Sequence, residues 1–202
     1  VTPPSELYKI IMHDGSLLDI ATAAFMPDPT HIKEIQEPWV VLEVVTPLAY
    51  LGSIMELARA FRAEYRDTEY LSQDHLVVSY HVPLAEIVTN FYDRLKSVSS
   101  GYASMNYALH GYRAGNLVKL DVLVAGEKME ALSHIVPRAS AKERGHRIVS
   151  RLKELVPRQL FAVSLQAAVG GTILAREDIS AMRKDVTGEL YGGDVTRKKK
   201  LL

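Results

Sequence analysis

The stretch Trp39-Val40-Val41-Leu42-Glu43-Val44-Val45-Thr46-Pro47 decides how the first half of the chain folds. It is apolar and rich in β-branched residues, interrupted only by Glu43, which is the composition of a strand. Thr46-Pro47 then offers an N-cap with proline at the first helical position. Leu51, Ile54, Met55, Ala58 and Phe61 recur at helical spacing and predict a helix. Residues 62–73 are polar and predict a short strand that ends in a turn at Ser72-Gln73-Asp74. His75–Val82 alternates as a half-buried strand does. Pro83 opens a second helix, whose apolar stripe is Leu84, Ile87, Val88, Phe91, Tyr92 and Leu95. Ser97-Val98-Ser99-Ser100-Gly101 stops it, the serines serving as loop or cap residues, and Tyr102–Tyr112 reads as a last strand.

This order, β-α-β-β-α-β, is the split βαβ or ferredoxin-like arrangement. Right-handed crossovers put both helices on one face of a four-stranded sheet and leave the other face open to a partner. Working outward, residues 5–12 and 17–25 form a hairpin about His13-Asp14-Gly15-Ser16, and Met26-Pro27-Asp28-Pro29 breaks it. A lone hairpin is too small to fold by itself. Residues 1–36 are therefore expected to end a preceding domain or to add an edge to the next one. On the other side, Arg113–Asn116 is a joint. Leu117–Val124 and Glu127–Leu132 are expected to pair across Ala125-Gly126. Ser140 and Glu143 have capping-box spacing, predicting a helix from about Ala141 to Leu155 with Ile148, Val149, Leu152 and Leu155 inward. Gln159–Val169 reads as a strand, Gly170-Gly171 as its turn, Thr172–Ala175 as continued pairing and Arg176–Asp185 as a short helix. The expected fold is α+β: a ferredoxin-like domain over 37–115 and a smaller α+β domain over 116–202.

The chain has 202 residues with 48% hydrophobic composition, enough for a packed core and too apolar for wholesale disorder. No apolar run approaches 18 residues. Val1-Thr2-Pro3-Pro4-Ser5 has neither an initiator Met nor a signal-peptide pattern and is expected to be a cut into a longer protein. Cysteine is absent, which excludes disulfides and thiolate metal sites and suits a reducing compartment.

A net charge of zero conceals a polarity. Residues 138–200 hold 14 Lys/Arg against 7 Asp/Glu, and residues 1–137 hold 10 against 17. A basic end attracts polyanions, either RNA, DNA or an acidic membrane leaflet. A plain solvated surface is the other reading of such a run. Arg144, Arg147 and Arg151 fall within about 60° of one another at 100° per residue, and Arg158 lies just past the helix. Such a rigid stripe suits phosphate positioning. Tyr191-Gly192-Gly193-Asp194-Val195-Thr196 leads into Arg197, Lys198, Lys199 and Lys200, a glycine joint followed by four adjacent cations. Tyr191 is suited to stacking on an unpaired base or to pinning the tail to the core. No catalytic constellation is found. There is no G-x-x-x-x-G-K-[ST] loop, and Gly170-Gly171 and Gly192-Gly193 lack a following Lys-Ser/Thr. The seven histidines, 13, 31, 75, 81, 110, 134 and 146, are scattered, and His81 reads as a satisfied strand residue.

Leu95–Ser104, following the helix start Pro83-Leu84-Ala85-Glu86, resembles domain V of translational GTPases such as elongation factor G. Val156-Pro157-Arg158-Gln159-Leu160-Phe161, Ser99–Tyr107 and the ending Tyr191–Leu202 resemble the elongation factor 4, or LepA, family. The resemblance spans essentially the whole chain and implies the end of domain III, domain V and the C-terminal domain specific to that family. It implies a GTP hydrolase whose GTP and Mg2+ site lies in an upstream domain, with no cofactor in this chain. It also implies a monomeric, cytoplasmic factor that back-translocates or remodels ribosomes. Its C-terminal part would face tRNA and ribosomal RNA in the A-site region. By family location and charge together, the RNA-binding residues would be Arg138, Arg144, Arg147, Arg151, Arg158, Tyr191 and Arg197–Lys200. A loop of Lys96, Ser97, Ser99 and Gly101 would face the ribosome. The alternative is a protein- or membrane-surface module without RNA contact, peripheral on the cytoplasmic side of the membrane, with its basic tail on anionic lipid.

Overall fold

The computed structural model describes residues 7–182. The chain divides into two compact units, Val1–Asn116 and Leu117–Leu202.

In the first unit, β1 (Tyr8–Met12) and β2 (Leu17–Ile20) form a hairpin, and β3 (Ile32–Pro47) is a single 16-residue strand. Helix α1 (Leu51–Ala60) leads to β4 (Glu64–Tyr70) and β5 (His75–Pro83). The second helical segment comprises α2 (Leu84–Glu86), a π turn (Ile87–Phe91) and α3 (Tyr92–Val98), and β6 (Ser104–Ala114) closes the unit. All pairings are antiparallel, in the order β2-β1-β3-β5-β4, with β6 also on β3. Gln36 pairs with both Lys9 and Ala114, so β1 and β5 share one edge of β3 and β6 holds the other. Within it the expected βαββαβ sheet is present, β6-β3-β5-β4, and the N-terminal hairpin extends it through β3.

Alternation along the strands fixes the core. Val40, Leu42 and Val44 of β3 and Leu76, Val78, Tyr80 and Val82 of β5 meet Ile54, Leu57 and Phe61 from the α1 segment and Ile87, Phe91 and Leu95 from the second. Phe61 and Phe91 pack edge to face at 5.1 Å. Two local expectations are corrected. Thr46-Pro47 ends β3 instead of capping a helix, because Pro47 still pairs with His75, and the helix starts at Leu51 after a turn. The second helix is not continuous. Asn90 leaves helical geometry (φ −130°, ψ 17°), and the π turn brings Ile87, Phe91 and Leu95 inward at four-residue spacing. Val88 and Tyr92, read as part of the apolar stripe, are exposed instead. The Thr89 hydroxyl donates to the Glu86 carbonyl (2.9 Å) within this disturbed turn.

In the second unit, β7 (Leu117–Val124) pairs with β8 (Glu127–Lys128), β9 (His134–Pro137) and β10 (Val163–Val169), and β10 pairs with β11 (Thr172–Ile179). Ala125 and Gly126 (φ 53° and 83°) form the expected tight turn, and Gly170 and Gly171 (φ 55° and 82°) form the next. Helix α4 (Ala141–Leu155) lies on this sheet. Gly145 permits the contact: a Cβ there would stand 3.0 Å from the Ala167 Cβ.

Four local features differ from the expectations. The return strand after Gly126 lasts only Glu127–Lys128, and a turn at Glu130–Leu132 delivers the chain to β9. Arg176–Ile179 continues β11 in place of a helix, because Gln166, Leu165, Ser164 and Val163 of β10 pair with it. The capping box does not form. The Ser140 hydroxyl donates to the Pro137 carbonyl (3.4 Å), and Glu143 holds Arg147. Val149 is fully buried and Ile148 and Leu152 pack against the core, but Leu155 is exposed.

Candidate functional site

Helix α4 carries the arginine stripe on a rigid element. Buried Ala141, Gly145 and Val149 define its inner face. Arg147 and Arg151 are turned to solvent, and Arg144 flanks the buried face and is half-buried. Each exposed arginine already has a carboxylate on the same helix. Arg147 donates to Glu143 (2.8 Å) and Arg151 to Glu154 (2.7 Å), while Lys153 reaches Glu177 on β11 (2.6 Å). Arg138 is exposed at the turn before α4, and Arg158 is exposed beyond its end. The helix between them is about 22 Å long at 1.5 Å per residue, so the cations span an elongated strip.

Arg158 lines an open depression with Ser180, Ala181 and Met182. The Met182 amide donates to the Gln159 carbonyl (2.7 Å), tying this loop to the residues after β11. Leu155, Leu160 and Phe161 are exposed nearby in sequence. Tyr191 and Arg197, Lys198, Lys199 and Lys200 lie outside the described residues.

In the first unit, the Lys96–Gly101 loop is the C-terminal cap of α3. Ser100 and Gly101 have positive φ (50° and 82°), and the Gly101 amide returns to the Lys96 carbonyl (2.8 Å). Ser99 is fully buried. Its hydroxyl donates to the Leu95 carbonyl (2.7 Å) and accepts from the Ala103 amide (3.0 Å), so it is committed to the cap. Lys96 extends over the exposed Tyr92 ring (5.6 Å) and donates to the Gly101 carbonyl (3.2 Å). Tyr102, exposed, stacks with Tyr50 at 6.0 Å. Ser97 lies in the last turn of α3, and Gly101 lies beyond its end. Tyr92 and Tyr102, absent from the expected ribosome-facing residues, flank this loop. The available signal was Tyr92 four residues before Lys96, one helical turn away.

Two polar clusters were also missed. Glu37 and Glu86 are 2% and 5% exposed, and Arg62 bridges them. Its guanidinium binds Glu37 through two nitrogens (2.7 and 3.1 Å) and Glu86 through Nε (2.8 Å). Burial opposes the charge on Arg62, but the two carboxylates more than offset it, and its pKa is raised. On the open sheet face, the Arg113 guanidinium covers the Trp39 ring (4.2 Å) and pairs with Glu64 (2.8 Å). His81 and His110 lie 4.6 Å apart there. Contrary to the sequence reading of a satisfied strand residue, the buried His81 Nδ1 has no hydrogen-bond partner. Burial, then His110, Arg113 and Arg66, push the His81 pKa down, against Glu64.

Among the described residues, no group of three or more His, Asp or Glu side chains is placed to hold a metal ion, and no helix is long and apolar enough to cross a membrane. The two units, one with the ferredoxin-like sheet and one basic α+β, each match a family model of translation factors. A family model described as elongation factor G C-terminus matches residues 34–123, and one described as GTP-binding protein LepA C-terminus matches residues 124–202. Elongation factor 4 of Clostridium novyi (strain NT) is 47% identical over 201 residues, covering 100% of this chain and 33% of that protein. The elongation factors 4 of Oceanobacillus iheyensis and Geobacillus thermodenitrificans are 48% and 49% identical over 201 residues, with the same coverage. The chain belongs to the elongation factor 4 (LepA) family. It spans about a third of the length of these relatives.

Proposed function

We propose that this chain is the ribosome- and tRNA-binding C-terminal region of a translational GTPase that back-translocates or remodels ribosomes. The collinear identity to elongation factor 4 over the whole chain carries this reading. Its parts would be the end of domain III over 1–36, domain V over 37–115 and the family-specific domain over 116–202. GTP and Mg2+ would act in the upstream portion of the longer protein, and the factor would be a cytoplasmic monomer. Charge supports a polyanion partner: the cations gather in residues 138–200, and α4 holds several of them on a rigid element. Arg138, Arg144, Arg147, Arg151 and Arg158 would position phosphates, with Arg197–Lys200 extending the strip. Lys96, Ser97 and Gly101, flanked by Tyr92 and Tyr102, would form a second ribosome-facing point, with Ser99 shaping it from within.

Alanine replacement of Arg197–Lys200 in the full-length factor tests the assignment. The expected outcome is weaker ribosome binding with unchanged folding. Unchanged ribosome affinity, salt dependence and GTPase stimulation would remove the tail from the interface.

A further inference from the structure

The charges on α4 do not form a bare cationic stripe. Glu143, Arg147, Arg151 and Glu154 fall within about 80° of one another on the helix surface, turned away from buried Gly145. All four side chains are largely exposed, between 65% and 75%, and they form two closed ion pairs at 2.8 and 2.7 Å. We infer that Glu143 and Glu154 are specificity-determining residues: they occupy the phosphate-binding arginines in the free protein and yield them only to a dense polyanion. The inference rests on the proposed RNA-binding reading of α4.

Exposed pairs at this spacing stabilise a helix by only a few tenths of a kcal/mol, so exchanging a carboxylate for a phosphate costs little in folding. The carboxylate does not leave the site, however. It is built on the same helix face and stays near any phosphate bound to its arginine, where like charges repel. An isolated anion meets that repulsion without compensation. A strand that presents successive phosphates can engage Arg147, Arg151 and the exposed Arg158 together and offset it. Each carboxylate also lowers counterion release, because the arginine it holds is already neutralised. The pairs therefore select polymeric over small anions.

The test uses the 202-residue chain and a fluorescein-labelled 20-nucleotide poly(U) RNA, with anisotropy measured from 50 to 200 mM KCl. E143Q/E154Q is expected to bind about tenfold more tightly at 50 mM, with the advantage shrinking as salt screens it. The slope of log affinity against log salt should steepen by about 0.7 per carboxylate removed. R147A/R151A should bind more weakly than wild type. E56Q/E69Q, which changes net charge equally outside α4, is the control for overall charge and should move affinity by less than about twofold. If R147A/R151A weakens binding but E143Q/E154Q leaves affinity and slope unchanged, the gating role is overturned and α4 remains an RNA contact. An equal gain in E56Q/E69Q also overturns it, in favour of long-range charge. If R147A/R151A binds as wild type does, the RNA reading of α4 and this inference fall together.

Discussion

Replacing Arg62 by Met should be among the most damaging changes in the first unit. Arg62 follows α1 in the left-handed region (φ 56°), where glycine is the usual residue. The Ala63 amide returns to the Ala58 carbonyl (3.1 Å), the signature of a Schellman turn. A non-glycine residue there costs about 1 kcal/mol or more. The conformation is retained because the side chain makes three charge-assisted hydrogen bonds, at 2.7, 3.1 and 2.8 Å, to two carboxylates that are almost fully buried. R62M keeps much of the length but strands Glu37 and Glu86 without their cation. Breaking a buried pair by removing one partner costs about 3–5 kcal/mol, more than the pair contributes over an apolar substitute. Urea unfolding followed by circular dichroism reads this as a lower midpoint at unchanged slope. R62M/E37Q/E86Q, which removes the stranded charges, should recover most of the loss. R62G should be less harmful than R62M by about 1 kcal/mol, because it relieves the backbone. A loss below about 1 kcal/mol in R62M, or no recovery in the triple variant, would refute the assignment of a buried charge triad.

Other outcomes follow from the same structure. S99A removes the acceptor of the buried Ala103 amide and should cost about 1–3 kcal/mol, measured by urea unfolding. G145V would place a Cβ 3.0 Å from the Ala167 Cβ and should destabilise the second unit by about 1–3 kcal/mol, visible as a shifted unfolding transition. The Tyr80 hydroxyl is buried without a partner, and burial first, then Tyr65, raise its pKa to about 12. Its folded pKa exceeds the ordinary value near 10, so the protein should lose stability as pH rises from about 10 to 12. Y80F should abolish that loss and the late tyrosinate titration at 295 nm.

The βαββαβ frame was legible because alternation in Trp39–Val45 and His75–Val82, and helical spacing from Leu51 to Phe61, are local signals. Departures arose where tertiary pairing overrode a local signal. Thr46-Pro47 has the chemistry of a helix start, yet β5 holds Pro47 in the sheet. The end of α1 carried no glycine, because Arg62 takes the left-handed position through contacts 24 and 25 residues away. Gly145 was a helix residue with no visible role until the opposing Ala167 was known. The exposure of Arg147 and Arg151 on α4 was legible from charge and helical spacing. The partners of those charges were not, since Glu143 suggested a cap and instead holds Arg147. The aromatic flank of the Lys96–Gly101 loop depended on Tyr50, distant in sequence, meeting Tyr102.

This chain is proposed to bind the ribosome through phosphate contacts. Co-sedimentation of the purified chain with 70S ribosomes across 50–300 mM KCl, beside anionic liposomes, tests it most directly. The expected result is binding to ribosomes whose log affinity falls linearly and steeply with log salt, with the R147A/R151A variant weaker and shallower in slope. Retention on liposomes alone, or ribosome binding indifferent to salt, would contradict it.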